Sequence, residues 1–164
     1  MLNKYNVFEN HLLIITEDFV PQEELLTRDD WQAGFNVLRR INGFLFYNSG
    51  AAAGASQPHK HLQLVPFAHN SQEMALPIAK LIALLPDQDG ILTLPQFKFD
   101  HGIIKFKQTL DVTETDDRYR SLLEKLDLLG AEDQRPKPHN VIMVEDWMMV
   151  VPRCLDRYKK SIPH

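Results

Sequence analysis

The chain of 164 residues has the size of one domain, and its composition, 44% hydrophobic and 24% charged, is typical of a soluble globular protein. A net charge of −4 argues against a general nucleic-acid-binding or membrane-binding surface, and a single cysteine excludes an internal disulfide framework. The amino end lacks the apolar core of a secretory signal, and no apolar stretch is long enough to cross a bilayer. We therefore expect a cytoplasmic protein.

The first half of the chain predicts a strand, a helix and two further strands. Residues 11–16 form a short apolar run typical of a buried strand. Thr27 offers cap chemistry to a following helix, and Gly43 is expected to close that helix in the left-handed conformation. Strands are expected at residues 43–48 and 59–65. The apolar face of the helix carries Trp31, Phe35, Leu38 and Ile41.

The second half predicts two helices and three strands. Pro77 must begin or break a helix within residues 71–85, because proline has no N–H to donate. Residues 116–129 predict an amphipathic helix. The three expected strands lie at residues 103–107, 140–144 and 147–151. The chain as a whole predicts an α+β fold, with a mostly antiparallel sheet of five or more strands and two or three helices.

The two ends of the sequence predict a single domain, residues 1–164, that is incomplete at both termini. The chain opens on strand-like sequence and stops soon after the strand at 147–151, which would need a neighbour. An uncovered strand edge invites pairing with another chain. We therefore expect low stability, with either an exposed apolar patch or a homodimer that covers it.

The most specific pattern in the sequence places two histidines and a glutamine at alternate positions after a loop of small residues. On a strand, His59, His61 and Gln63 would point to the same face. The loop at residues 54–58 has few bulky side chains, so its backbone N–H groups can approach an anion closely.

Three interpretations of this pattern compete: a solvated polar strand face, a metal site, and covalent catalysis at phosphorus. A metal site is disfavoured because residues 62–67 contain no glutamate and Gln63 is a poor zinc ligand. A neutral imidazole, by contrast, is a good nucleophile near pH 7. Gln63, Ser56 and the loop amides can stabilise the phosphoryl oxygens. Catalysis at phosphorus explains the most residues, and we expect no metal bound by the protein.

At these residues the chain resembles the diadenosine polyphosphate phosphorylases, also called ATP adenylyltransferases. They belong to the histidine-triad superfamily, on the branch that includes galactose-1-phosphate uridylyltransferase. The similar segments are residues 2–7, 11–16, 48–50, 54–63 and 147–153. The resemblance implies a histidine-triad-like nucleotidyltransferase. It would convert diadenosine tetraphosphate and phosphate into ATP and ADP, reversibly, through a nucleotidyl-histidine intermediate. Any Mg²⁺ would arrive with the nucleotide.

The resemblance also implies a role for individual residues. His61 would be the nucleophile, Gln63 would orient the attacked phosphate, and His59 would support the site. The residues implied in binding the nucleotide are Asn3, Lys4, Asn48, Gly54, Ala55, Ser56, Gln57, Gln63 and Asn140. The uridylyltransferases have proline where this chain has Lys60 and commonly use Cys and His clusters to bind metal, so adenine nucleotides are favoured over uridine sugars.

The sequence departs from the family at two positions near its end. Relatives carry a basic residue near Glu145, where an acid is expected to repel phosphate, and a tyrosine in place of His139. With the shortened ends, these departures leave an alternative function, a non-catalytic or decayed adenine-nucleotide-binding module. His69 and His101 are interpreted as surface or core residues.

Overall fold

The computed structural model describes residues 10–67, 76–107, 111–130 and 135–154. Asn3, Lys4 and His69 lie outside these ranges. The described strands are β1 (Leu12–Ile15), β2 (Gly43–Asn48), β3 (His61–Pro66), β4 (Gly102–Lys105), β5 (His139–Met143) and β6 (Trp147–Pro152). The helices are α1 (Arg28–Leu38), α2 (Pro77–Ala83) and α3 (Val112–Lys125), with a short 3₁₀ turn at Ala51–Ala53.

The six strands form one antiparallel sheet in the order β1-β3-β2-β5-β6-β4. With three α-helices, this confirms the predicted α+β fold. Each predicted strand and helix is present, with boundaries that differ by a few residues. None of the helices in the described ranges has both the length and the apolar character needed to cross a membrane.

The two faces of the sheet pack against different partners. Helices α1 and α3 cover one face, where Leu62 and Leu64 of β3 join the larger apolar cluster. Helix α2 and the segment around Leu92 cover the other face. Side chains alternate along a strand, so His61 and Gln63 of β3 lie on this second face.

Helix α1 begins as predicted but ends earlier. Thr27 and Asp30 form a capping box, in which each residue hydrogen-bonds the backbone N–H of the other. The helix ends at Leu38, and the expectation that Gly43 closes it in a left-handed conformation is wrong. Gly43 instead begins β2, and glycine is needed there because a Cβ atom would lie 2.4 Å from the carbonyl oxygen of Val65.

Strand β6 has a partner on each side. Val150 pairs with Val141 of β5 and with Gly102 of β4. The expectation that this last strand lacks a neighbour is therefore wrong, because its second partner precedes it in the chain. The sheet edges in the described ranges are β1 and β4.

A buried ion pair ties the segment before β3 to the start of α1. The Lys60 Nζ atom lies 2.5 Å from Asp30 Oδ2 and donates to the carbonyl oxygen of Leu25 at 2.6 Å. The Lys60 side chain is only 4% exposed. Because Asp30 also belongs to the capping box, a single carboxylate links the start of the helix to the histidine motif.

His139 is a buried, neutral histidine in the larger core. Its Nδ1–H donates to the carbonyl oxygen of Lys137 at 2.8 Å, and its Nε2 accepts from the Tyr119 hydroxyl at 2.7 Å. Burial lowers the pKa of His139, and the bond to the Lys137 carbonyl only partly opposes that shift. His139 therefore packs as a core residue under α3.

The Lys60–Asp30 pair is tested by removing the lysine. Lys60→Met is expected to lower the free energy of unfolding by about 3–5 kcal/mol, because it leaves a largely buried carboxylate unpaired. The matched control is Lys137→Met. Lys137 lies 2.5 Å from Asp127, but these side chains are 55% and 89% exposed, so little change is expected. Urea unfolding measures both, and equal losses would contradict the role given to Lys60.

His139 is expected to make the protein sensitive to acid. In the unfolded chain its ring gains a proton as the pH falls through about 6.5, whereas the buried ring resists protonation until lower pH. The free energy of unfolding should therefore fall as the pH drops below about 6.5. Replacement by His139→Gln should make this decline shallower between pH 7 and 5. A decline as steep as that of the wild type would rule out the contribution of His139. Part of the decline should remain, because burial also lowers the pKa of His11.

Candidate active site

Three polar side chains form a row across the second face of the sheet. Asn48 pairs with Asn140, and continuing the register of Phe46 with Gln63 by two residues places Asn48 opposite His61. Asn48 and Asn140 are directly paired, whereas the ladder between β2 and β3 stops at Phe46 and Gln63, before Asn48 and His61 would pair. The chain thus brings together residues predicted from three separate segments.

The end of the row at Asn140 is fixed by hydrogen bonds. Its Nδ2 donates to Asn48 Oδ1 and to the carbonyl oxygen of Ala53, each at 2.8 Å. These bonds orient Asn48 so that its oxygen faces Asn140. Within the described ranges the side-chain nitrogen of Asn48, Nδ2, has no hydrogen-bond partner, so it is available to donate to an anion.

The imidazole of His61 is held in one tautomer. Its Nδ1 lies 2.8 Å from the carbonyl oxygen of His59. A carbonyl oxygen only accepts, so Nδ1 carries the proton and Nε2 bears the lone pair. The residue is only 7% exposed. Among the residues that the structure describes, His61 therefore has the lone pair of Nε2 free in a largely buried position.

The imidazole of His59 is held in the opposite tautomer. Its Nε2 lies 2.9 Å from Thr16 Oγ1 and 3.2 Å from the carbonyl oxygen of Asp18, so Nε2 carries the proton. His59 lies before β3 and pairs with Pro21 in an isolated bridge, rather than continuing the strand of His61 as expected. Its contribution to the row is the main-chain carbonyl that orients His61.

Gln63 lies one step along β3 from His61, beside a histidine that the sequence analysis did not single out. His11 precedes β1, is 5% exposed, and has a hydrogen-bonding interaction with the Gln63 side chain. Burial lowers the pKa of His11, and repulsion from His61 acts in the same direction. His11 therefore lies neutral beside Gln63. Only the pairing of β1 with β3 reveals this proximity, because no local pattern marks His11.

The loop between β2 and β3 uses part of its backbone internally. The N–H groups of Gly54 and Ala55 donate to carbonyl oxygens within the loop at 2.9 and 3.1 Å. Gly54 has a φ of 95°, in the left-handed region that favours glycine. In the part of the chain that the structure describes, the exposed Ser56 and Gln57 have backbone N–H groups without a partner. These two amides are able to receive an anion.

A cavity of about 670 Å³ lies on this face beside Asn48 and Asn140. Its walls are mainly apolar and include Phe44, Phe46, Phe97 and Phe99, with Arg153 also in the lining. The rings of Phe97 and Phe99 stack, with centroids 4.8 Å apart. A cavity of this size, with aromatic walls and a few polar groups, is typical of a small-molecule site.

Glu145 lies away from the row. It is exposed in the turn between β5 and β6, whereas Asn140 lies near the opposite end of β5. Five residues of extended chain separate the two by roughly 16 Å. Glu145 therefore lies far from any ligand held beside Asn48 and Asn140, and its expected repulsion of phosphate stays a prediction.

His101, which the sequence analysis also weighed, is a structural residue. His101 is buried, its Nδ1–H donates to the carbonyl oxygen of Phe99 at 2.8 Å, and its Nε2 accepts from the Leu94 N–H at 2.7 Å. This confirms its interpretation as a core residue. Within the described ranges, no three His, Cys, Asp or Glu side chains are grouped as metal ligands.

Two family models match the chain. The Ap4A phosphorylase N-terminal domain matches residues 1–84, and the ATP adenylyltransferase C-terminal domain matches residues 95–162. A curated relative, diadenosine 5′,5‴-P1,P4-tetraphosphate phosphorylase 2 of Saccharomyces cerevisiae, is 28% identical, covering 93% of this chain and 54% of its own length. The chain thus spans about half the length of this relative.

Solved structures of a yeast Ap4A phosphorylase are also similar to this chain. The yeast Ap4A phosphorylase Apa2 in complex with AMP is 26% identical, with a TM-score of 0.82 over 99% of this chain and 58% of that one. Apa2 in complex with Ap4A is 25% identical, with a TM-score of 0.78 over 94% of this chain and 56% of that one. The chain belongs to the Ap4A phosphorylase family.

Proposed function

We propose that this member of the Ap4A phosphorylase family transfers an adenylyl group through His61. The overall reaction converts diadenosine tetraphosphate and phosphate into ATP and ADP, and it is reversible. The observation that carries the proposal is the hydrogen bond from His61 Nδ1–H to the carbonyl of His59, which leaves Nε2 as the nucleophile.

The reaction proceeds in two displacements at one phosphorus. His61 Nε2 first attacks the phosphorus nearest one adenosine, so that an N–P bond forms and the P–O bond to the departing ATP breaks. The oxygen leaves as part of the ATP anion and needs no proton. Inorganic phosphate then attacks the same phosphorus, the N–P bond breaks, and ADP forms. No metal bound by the protein is required, and Mg²⁺ accompanies the polyphosphate.

Groups around His61 match the charge that develops in these steps. When Nε2 binds phosphorus, the ring becomes cationic and the carbonyl of His59 stabilises its Nδ1–H. On the phosphate side, the free amide nitrogen of Asn48 and the backbone N–H groups of Ser56 and Gln57 offer donors for the phosphoryl oxygens. Gln63 shares the sheet face with His61 and orients the attacked phosphate.

The cavity beside Asn48 supports a nucleotide substrate. Its aromatic walls, which include Phe46 and Phe97, suit an adenine ring, because aromatic rings gain from stacking beyond the area they bury. Arg153 provides a cationic side chain in the same lining. Yeast Apa2 has been solved in complexes with AMP and with Ap4A, and this supports the choice of a diadenosine polyphosphate over a uridine sugar.

A covalent adduct provides the test of the proposal. The protein is incubated with diadenosine tetraphosphate in the absence of phosphate, and intact mass should increase by one adenylyl group that maps to His61. His61→Ala should lose the adduct. The matched control is His101→Ala, because His101 has the same bond to a carbonyl two residues earlier but an occupied Nε2. This control should still form the adduct.

Two outcomes would count against the enzyme. An adduct of equal yield in His61→Ala would exclude His61 as the nucleophile. Saturable nucleotide binding without adduct or turnover would favour the alternative, a non-catalytic adenine-nucleotide-binding module.

Chemical rescue tests the second displacement separately. In His61→Gly the missing ring leaves room for an imidazole-bearing nucleotide, adenosine 5′-phosphorimidazolide. With phosphate present, this nucleotide should yield ADP, because the site still orients phosphate towards the phosphorus. Production of ADP no faster than in buffer would show that the site does not position the acceptor.

A further inference from the structure

A glutamine that the reaction does not otherwise use lies between the ends of β2 and β3. The Gln22 side chain donates from Nε2 to the carbonyl oxygen of Asn48 at 2.8 Å and to that of His61 at 3.2 Å. Its Oε1 accepts the backbone N–H of His61 at 2.8 Å. Gln22 is fully buried. Its amide thus contacts the main chain of both residues that flank the proposed phosphate position.

This amide takes the place of the direct backbone hydrogen bonds that would otherwise join Asn48 to His61. The ladder between β2 and β3 ends where Phe46 pairs with Gln63, although the next rung in the same register would join Asn48 to His61. A side-chain amide has the same donor and acceptor as a peptide group. With that amide inserted, the strands separate by more than a direct hydrogen bond allows, while Gln22 satisfies the carbonyl oxygen of Asn48 and both main-chain groups of His61. The two strands therefore diverge at the site.

The backbone around Gln22 fixes the inserted amide. The N–H of Gln22 donates to the carbonyl oxygen of Pro58 at 2.8 Å, and the buried hydroxyl of Tyr47 donates to the carbonyl oxygen of Gln22. Next to it, the N–H of Lys60 donates to the carbonyl oxygen of Val20 at 2.8 Å. These bonds prevent the side chain from withdrawing from the gap.

We propose that Gln22 is a positioning residue for His61. Its amide holds the main chain of His61 away from Asn48, so that a phosphoryl group fits between the imidazole and the Asn48 amide. This inference rests on the proposed function for its catalytic consequence. Its structural consequence, a fixed His61 ring, does not depend on turnover.

The test removes the amide but keeps the volume of the side chain. Gln22→Met deletes all three hydrogen bonds, and the matched control Gln32→Met makes the same change at an exposed residue whose side chain donates to Asn36. Single-turnover formation of the His61 adduct is measured well below each variant's unfolding temperature. For Gln22→Met the maximal rate should fall by about tenfold to a hundredfold, since small misplacements of a reacting group are costly. The half-saturating nucleotide concentration should change much less.

A second variant is tested through the pH dependence of its rate, which a loss of stability alone does not change. In Gln22→Glu the carboxyl is buried, so its pKa should be raised. When protonated it keeps one donor and one acceptor in the gap, and when ionised it keeps none of the donors. The ratio of the Gln22→Glu rate to the wild-type rate should therefore increase as the pH is lowered. A ratio that is independent of pH would overturn the proposal.

The ring of His61 provides a reading that needs no turnover. Long-range ¹H–¹⁵N spectra of the histidine rings should show His61 protonated at Nδ1 in the wild type and in Gln32→Met. In Gln22→Met this signal should shift toward a mixture of tautomers. An unchanged His61 signal would overturn the positioning role. If the wild type formed no adduct, the proposed function would fail, and the ring signal would still decide the role of Gln22.

Discussion

The arrangement of the site depends on one hydrogen bond, from the Nδ1–H of His61 to the carbonyl oxygen of His59. It selects the tautomer in which Nε2 bears the lone pair, and in the proposed reaction the same carbonyl stabilises the positive charge on the phosphorylated ring. The bond requires a fixed His59 carbonyl. That position is secured because His59 pairs with Pro21 and the next residue, Lys60, is held by a buried ion pair to Asp30.

Alternate side chains of β3 and of the residues just before it point to opposite faces of the sheet, and the two faces have different roles. Lys60, Leu62 and Leu64 point to the face covered by α1 and α3, where they form an ion pair and apolar contacts. His61 and Gln63 point to the opposite face, with the amides of β2 and β5. Polar side chains buried in a sheet are costly unless they are hydrogen-bonded. Here His11 and the carbonyl of His59 meet that requirement.

Local patterns in the sequence were sufficient for the elements and for the central motif. The spacing of His61 and Gln63, the cap at Thr27 and the strand at Gly43–Asn48 all follow from interactions within a few residues. What the sequence did not reveal depends on pairing between distant segments. The proximity of His11 to Gln63, the insertion of Gln22, the pairing of β6 with β4 and the close approach at Gly43 all require the register of the sheet. The tautomers of His59 and His61 likewise depend on neighbours that alternation alone cannot identify.

The most direct test of the account is a crystal structure with a diadenosine tetraphosphate analogue whose bridging oxygens are replaced by methylene groups. The account predicts a phosphorus about 3–3.5 Å from His61 Nε2, the near-attack distance, with its oxygens facing Asn48 and the amides of Ser56 and Gln57. An analogue bound with every phosphorus far from Nε2, or with Nδ1 of His61 facing the phosphate, would contradict nucleophilic catalysis by His61.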